Sequence, residues 1–158
     1  MVGVTAVLAA GCGSSAVGTL NVSPVERAIE RSTMREHGVQ TAVHCPTDTP
    51  LKTGTRFECT AALSVGSYPV SVVELNARGA VHYANTTPFR VLSIDTVVLA
   101  IQGAIRREKH LASTVTCPIW ILQARGLRFT CSARTKLGSG LFRVIETDSA
   151  GHIDFKGV

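Results

Sequence analysis

Aromatic side chains make up only 5% of this 158-residue chain, so its core must be assembled from Val, Ile, Leu and Ala. Charged residues are also few, at 17%, against 45% hydrophobic. That balance excludes the disordered class and leaves enough apolar surface for a folded core. No apolar run approaches the roughly 20 residues of a membrane-crossing helix. No CxxC knuckle occurs, which removes the commonest zinc and thiol-redox arrangements. The Gly-rich phosphate and dinucleotide loops, HExxH and GxSxG are missing as well. No cofactor and no metal are expected, no catalytic residue is assigned, and the chain reads as a non-enzyme.

What is present begins with a mild positive balance. The formal net charge is +5, and all 16 Lys and Arg follow residue 22. They are scattered, with one concentration at Arg106-Arg107-Glu108-Lys109-His110. That group reads first as cations at a helix C-terminus, where the helix dipole favours them. Its second reading is contact with anionic lipid headgroups. A nucleic-acid partner is not expected, because no basic stripe with interleaved aromatics occurs.

Residues 1–12 read MVGVTAVLAAGC, an uncharged apolar run ending in Gly11-Cys12 and followed by Gly-Ser-Ser. Small residues before a cysteine suit the narrow site of a signal peptidase. The segment resembles the end of a bacterial lipoprotein signal peptide, in which the lipobox cysteine is lipidated and becomes the new N-terminus. Ala9 stands where Leu is commonest, and no basic residue precedes the run. Signal peptides normally carry a positive n-region, so an upstream start is expected. The resemblance implies a lipid anchor at Cys12 and a place on the extracytoplasmic face of the cell membrane. Residues 13–22 read as a flexible tether.

The remainder repeats. Shifted by 72 residues, the sequence falls on itself without a gap. Cys45-Pro46 lands on Cys117-Pro118, Gly54 on Gly126, Arg56-Phe57 on Arg128-Phe129, Cys59 on Cys131, and Glu74 on Glu146. Residues 23–86 and 95–158 therefore read as two copies of one unit, joined by a connector at 87–94. In each copy a helix precedes about four short strands. Ser23-Pro24-Val25-Glu26 reads as a helix start with a capping box, and Asp95 takes the cap position in the second copy. Gly38 marks the stop. Strands are expected near 39–45, 56–63, 70–75 and 80–84, with a turn at Asn76-Ala77-Arg78-Gly79. The fold class is α+β: two tandem units, each one helix packed on a small antiparallel sheet. Val97, Val98, Ala100, Ile101, Ala104 and Ile105 give the second helix the broader apolar face, suited to packing on the other copy.

Five cysteines are present. Cys12 is claimed by the lipobox. The other four allow three pairings, of which the repeat selects Cys45–Cys59 and Cys117–Cys131, because a single copy could make each alone. Strand parity agrees, since Cys45 shares a face with Val43 and Cys59 with Phe57. Each closed loop should stabilise its unit by about 3 kcal/mol. Such bridges imply an oxidising compartment.

Of the polar residues kept in both copies, Glu74 and Glu146 fall at inward parity in the third strand, and Arg56 and Arg128 begin the second. They read either as a polar pocket between helix and sheet or as an ion pair or turn-capping contact needed by both copies. The structural alternative is preferred, since structural pairs are common and an isolated carboxylate rarely makes an enzyme. None of the five histidines, His37, His44, His82, His110 and His152, is matched by His in the other copy.

The pattern Val43-His44-Cys45-Pro46, Gly54-Thr55-Arg56-Phe57-Glu58-Cys59 and a turn Gly79 recurs as Val115-Thr116-Cys117-Pro118, Gly126-Leu127-Arg128-Phe129-Thr130-Cys131 and Gly151. It resembles the domain of unknown function 4333 family, found in exported proteins and lipoproteins of mycobacteria and related actinobacteria. The resemblance covers almost everything after residue 22 and implies an address and a fold, not a reaction. In the second copy Ile119-Trp120-Ile121-Leu122 replaces Thr47-Asp48-Thr49-Pro50, making the Trp120 loop a candidate contact surface. The expectation is a lipid-anchored binding or accessory protein of the cell envelope, holding an envelope protein or lipid partner. The alternative is a small apolar-ligand or lipid carrier with a cavity between helix and sheet.

Overall fold

A computed structural model describes residues 18–158. The expected signal segment, Cys12 and the first part of the expected tether lie outside the described residues. The elements are α1 (Ser23–His37), β1 (Ala42–His44), β2 (Arg56–Ala62), β3 (Ser67–Glu74) and β4 (Val81–Asn85). They are followed by α2 (Ile94–Lys109), β5 (Ser113–Thr116), β6 (Arg128–Thr135), β7 (Gly138–Glu146) and β8 (Ile153–Gly157). The chain is α+β, with two antiparallel four-stranded sheets ordered β1-β2-β3-β4 and β5-β6-β7-β8. The order helix then four strands thus occurs twice.

Each helix lays its apolar stripe on the inner face of the sheet that follows it. Val25 and Ile29 of α1 join Val43, Ala61, Val70 and Val72 in the first core. Val97 and Ile101 of α2 join Val115, Ala133 and Val144 in the second. Five of these pairs lie 72 residues apart. The buried side of α2 is spent on its own core, and Leu99, on its other side, is 66% exposed. It does not use a broad apolar face against the other half.

Both cysteine pairs are bonded, Cys45 to Cys59 and Cys117 to Cys131. The ladder explains why. His44 pairs with Thr60 and Thr116 with Ser132. One step further along each antiparallel pair sets the two cysteines directly opposite one another. Their side chains point inward, and Cys59 and Cys131 are fully buried.

Helix starts differ from expectation. Helix α1 starts at Ser23 and α2 at Ile94, and neither has a side-chain cap. Glu26 does not close a capping box. Its Oε1 accepts a hydrogen bond from the Cys45 amide at 2.9 Å, and Glu30 Oε1 accepts from Val43 N–H at 3.0 Å. Both carboxylates satisfy backbone donors on the outer edge of β1, a stronger demand than a helix end open to water. The C-terminal stop holds: Gly38 is left-handed at φ 66° and donates to Met34 O. At the β3–β4 turn Asn76 Oδ1 accepts from the Arg78 and Ala80 amides, and Asp148 repeats this with Ala150 and His152.

Residues 18–22 of the expected tether and residues 89–92 of the expected connector make packed or hydrogen-bonded contacts. Leu20 N–H donates to Thr49 O, Leu51 N–H donates to Gly18 O, and Leu20 and Val22 are buried in the first core. Residues 18–22 therefore belong to the folded unit. Within the expected connector, Phe89 packs on the first core and Leu92 is buried in the second. Leu92 N–H donates to Ile121 O and Gln123 N–H to Arg90 O, which repeats the pairing made by residues 18–20. Apolar segments just before each helix are needed to cover the loop after each first cysteine.

The two halves meet at the β2–β3 turn. Leu122 N–H donates to Val65 O at 2.9 Å, and Val65 and Ile121 form a parallel bridge. Leu122 packs against the first core and Val65 against the second. Gly66 makes the approach possible. Its φ is +87°, and a Cβ there would lie 2.8 Å from Leu127 Cδ1 and 2.9 Å from Leu122 Cβ. Gly54 has nearly the same φ, +85°, but open space around it. Gly54→Ala should lose about 1 kcal/mol from backbone strain alone. Gly66→Ala should lose about 2–3 kcal/mol, since strain and overlap add. Urea denaturation of the two variants checks the order; equal losses would mean that the seam is loosely packed.

Candidate functional site

The most unusual polar groups are the two glutamates at the ends of β3 and β7. Glu74 is 1% exposed and Glu146 is 0% exposed. Strand alternation turns both inward, where the loop before the preceding strand wraps around them. Glu74 Oε2 accepts from Lys52 N–H at 2.9 Å, and Glu146 Oε2 accepts from Ala124 N–H at 3.0 Å. The backbone of the same residues continues the contact. Gly54 N–H donates to Glu74 O and Glu74 N–H to Thr55 O, with Gly126 and Leu127 taking these parts around Glu146. Each glutamate therefore staples a loop to the end of a strand. In both, Oε1 is buried without a partner.

Burying a carboxylate with one hydrogen bond favours its neutral form. Burial pushes Glu146 up to about 7; the Ala124 amide pulls against that shift, and the charge of Asp148 adds to it. Asp148 itself lies below its ordinary value, chiefly because His152 hydrogen-bonds to it at 2.6 Å.

The expected arginines are elsewhere. Arg56 and Arg128 are exposed on the outer faces of their sheets, opposite Val73 and Ile145. Neither meets a glutamate, and the only ion pair among the described residues is His152–Asp148. A Glu–Arg pocket is not formed, and the turn-capping alternative describes both glutamates. Nor do three His, Cys, Asp or Glu side chains gather among the described residues.

Trp120 has a positive φ of 55° and is half-buried. Its loop is a contact surface, but largely an internal one. Ile121 is fully buried and Leu122 reaches the first core, while Ile119 is 55% exposed. The left-handed bend at Trp120 separates the exposed residue from the buried ones.

A second feature distinguishes the halves. At the C-terminal end of α1 the space between helix and sheet is filled by Tyr68, whose hydroxyl lies 3.1 Å from Thr33 Oγ1. Phe89 closes over it, 4.7 Å from the Tyr68 ring and 4.8 Å from the His37 ring. In the second half the position of Tyr68 is Gly140, opposite Ala133 as Tyr68 is opposite Ala61. A cleft of about 260 Å³ lined by Gly140 opens there. It adjoins one of about 390 Å³ that enlarges the 140 Å³ cleft at the matching end of the first half; the two share Ile105, Lys109 and Phe142. The 72-residue register holds the signal for this difference, in a Tyr-to-Gly mismatch easily passed over beside the matches.

No family model matches the chain, and no curated protein or solved structure does either.

The raised Glu146 pKa predicts a pH-dependent stability. Because the folded-state value, about 7, exceeds the ordinary 4.5, the fold favours the protonated acid. The stabilisation is complete below the unfolded value and lost as pH rises through the folded one. Glu146→Gln cannot ionise. Between about pH 5 and pH 8 the parent's Tm should fall relative to that of Glu146→Gln and then level off. A constant difference across that range, measured by differential scanning calorimetry, would contradict a raised pKa.

Proposed function

We propose that the chain is a lipid-anchored, extracytoplasmic binding or accessory protein of the cell envelope, without enzymatic activity. It would consist of two tandem copies of one α+β unit of the domain of unknown function 4333 type, held to the membrane by an acyl group on Cys12. The observation that carries this reading is the use of the cysteines. All four among the described residues are spent in two cross-strand bridges at matching places. Bridges of this kind persist in oxidising compartments, and they leave Cys12 as the odd thiol. No helix among the described residues is long and apolar enough to cross a membrane. The sheet surfaces and the Ile119–Trp120 corner are the parts left to meet a partner.

Metabolic labelling with palmitate tests the anchor. Expressed in an actinobacterial host from its own genomic context, the parent should carry label and sediment with membranes. Cys12→Ala should carry none. An unlabelled, soluble parent overturns the anchored reading.

The small-ligand carrier is supported by the open end between α2 and its sheet, lined by Ile105, Leu111, Phe142 and Phe155. Gly140→Phe discriminates. A Cβ at Gly140 meets nothing within 4 Å, so a ring there should fill the cleft as Tyr68 fills its counterpart. We expect a gain of about 1 kcal/mol in stability. If the protein carries apolar ligand, native mass spectrometry should also show copurified lipid on the parent and none on the variant. A parent free of lipid leaves the carrier reading without support.

A further inference from the structure

The positive charge of the chain sits in one half. Residues 1–89 hold six Lys and Arg against six Asp and Glu, and residues 90–158 hold ten against five. Four of those ten, Arg128, Arg134, Arg143 and Lys156, lie exposed on the outer face of the second sheet. The register brings them together. Arg143 of β7 stands directly opposite Lys156 of β8 and, on its other side, Thr130 of β6. Arg128 is next to Thr130 on the same face of β6, and Arg134, opposite Ser139, lies further along it beyond Ser132.

Like charges directly opposite one another destabilise a sheet. None of the four cations makes an ion pair among the described residues. The one acid on the face, Asp154, turns an oxygen to the Phe155 amide at 2.8 Å. The first sheet shows that the frame does not require such a face. At the matching positions it has Ser71 for Arg143, Ala84 for Lys156, Ala62 for Arg134 and Glu58 for Thr130. Its outer face is balanced, with Arg56 beside Glu58.

We propose that the outer face of the second sheet is the surface by which the protein lies on an anionic membrane. Arg128, Arg134, Arg143 and Lys156 receive the phosphates of anionic phospholipid headgroups. A shallow concavity of about 530 Å³ over Arg128, Arg143 and Lys156, with the single acid Asp154 at its wall, gives them room. The apolar members of the face are aliphatic: Leu141, 49% exposed, and Ile145. Aliphatic side chains among cations suit the headgroup boundary. A nucleic-acid strand would call for aromatic platforms on which bases stack, and none projects from this face. At one end of the sheet the β6–β7 turn carries Lys136 and Leu137, the latter 78% exposed, placed to follow the face into the boundary.

The location of this contact rests on the envelope reading above; the contact itself is a property of the folded second half. The test therefore uses the full chain carrying Cys12→Ser, which cannot be acylated. Sedimentation with phosphatidylglycerol–phosphatidylcholine vesicles should show binding that pure phosphatidylcholine vesicles do not. Arg128→Gln/Arg143→Gln/Lys156→Gln should weaken binding at least about tenfold at physiological ionic strength. Arg27→Gln/Arg31→Gln/Arg35→Gln removes the same charge from α1, where Glu26, Glu30 and Glu36 lie among the arginines, and should bind nearly as the parent does. All six positions are exposed, and unchanged circular dichroism confirms that both variants fold. Equal losses in the two variants, no loss in the first, or tighter binding to a single-stranded oligonucleotide than to anionic vesicles each overturn the proposal. Palmitate labelling is silent on this surface, so the anchor and the face can fail separately.

Discussion

The structure depends on how a very short edge strand is kept in place. Strand β1 has three residues and pairs with three on β2, too few to fix a register by backbone bonds alone. The Cys45–Cys59 bridge lies one step beyond the last pair and ties the two strands at directly opposed positions. Slipping by one residue would turn Val43 out of the core and separate the sulfurs. On its other edge β1 is held by Glu26 and Glu30, which bring the helix to the sheet through two backbone amides. Disulfide and carboxylates therefore act on the same short segment, Val43 to Cys45, from opposite sides. With so few aromatic residues to bury, a small core gains its definition from these cross-ties.

The second half keeps the bridge and changes the other tie. Val98 stands where Glu26 does, and Gln102 stands where Glu30 does. Gln102 Nε2 donates to Ser113 O, so the helix now offers a donor to the edge of β5 in place of acceptors. Apolar contact takes over from polar groups: Val98 replaces the Glu26 carboxylate and Ile105 the Thr33 hydroxyl. Substitutions that leave the frame intact fall at the seam, at the Gly140 cleft and on the outer face. In the first half the corresponding places hold Thr49, Tyr68 and Ser71, two of them buried and hydrogen-bonded. The first half keeps only a small cleft of about 140 Å³ at this end, and the second presents larger clefts and a charged face.

Much of this is legible in the sequence because it rests on local period and spacing. The 72-residue register, the alternation around Cys59 and Glu74, and Gly38 and Gly79 in left-handed turns all follow from residues close to one another. What escapes is set by partners distant in the chain. Glu26 satisfies every local rule for a capping box, yet the unsatisfied Cys45 amide claims it. Residues 18–22 carry the small polar composition of a linker, but Leu20 has a buried place to fill and Thr49 O a donor to accept. The inward parity of Glu74 and Glu146 is visible in alternation. Their single bond to a loop amide is not, because nothing nearby in sequence dictates the path of residues 46–55. The charged face is legible only in part: the arginines can be counted, but the opposition of Arg143 and Lys156 needs the register of β7 and β8.

The buried glutamates then pose a physical choice. An Oε1 without a partner in a closed site has a cost, and an amide or apolar side chain of similar size would avoid it. Had the carboxylate served chemistry, a second ionisable group within reach of that oxygen would be expected. Arg56 and Arg128 are instead on the far side of the sheet. The loop geometry gives a simpler reason for an acceptor at that point. Lys52 and Ala124 each direct an N–H inward at the start of a tight turn, and Glu at inward parity is long enough to meet it while its own N–H and C=O bind the same turn. Three hydrogen bonds from one residue hold the loop that follows each bridge. In the neutral form, which burial favours for Glu146, the Ala124 bond survives and the charge penalty disappears. A raised carboxyl pKa here is therefore a consequence of a structural staple and gives no sign of a general acid.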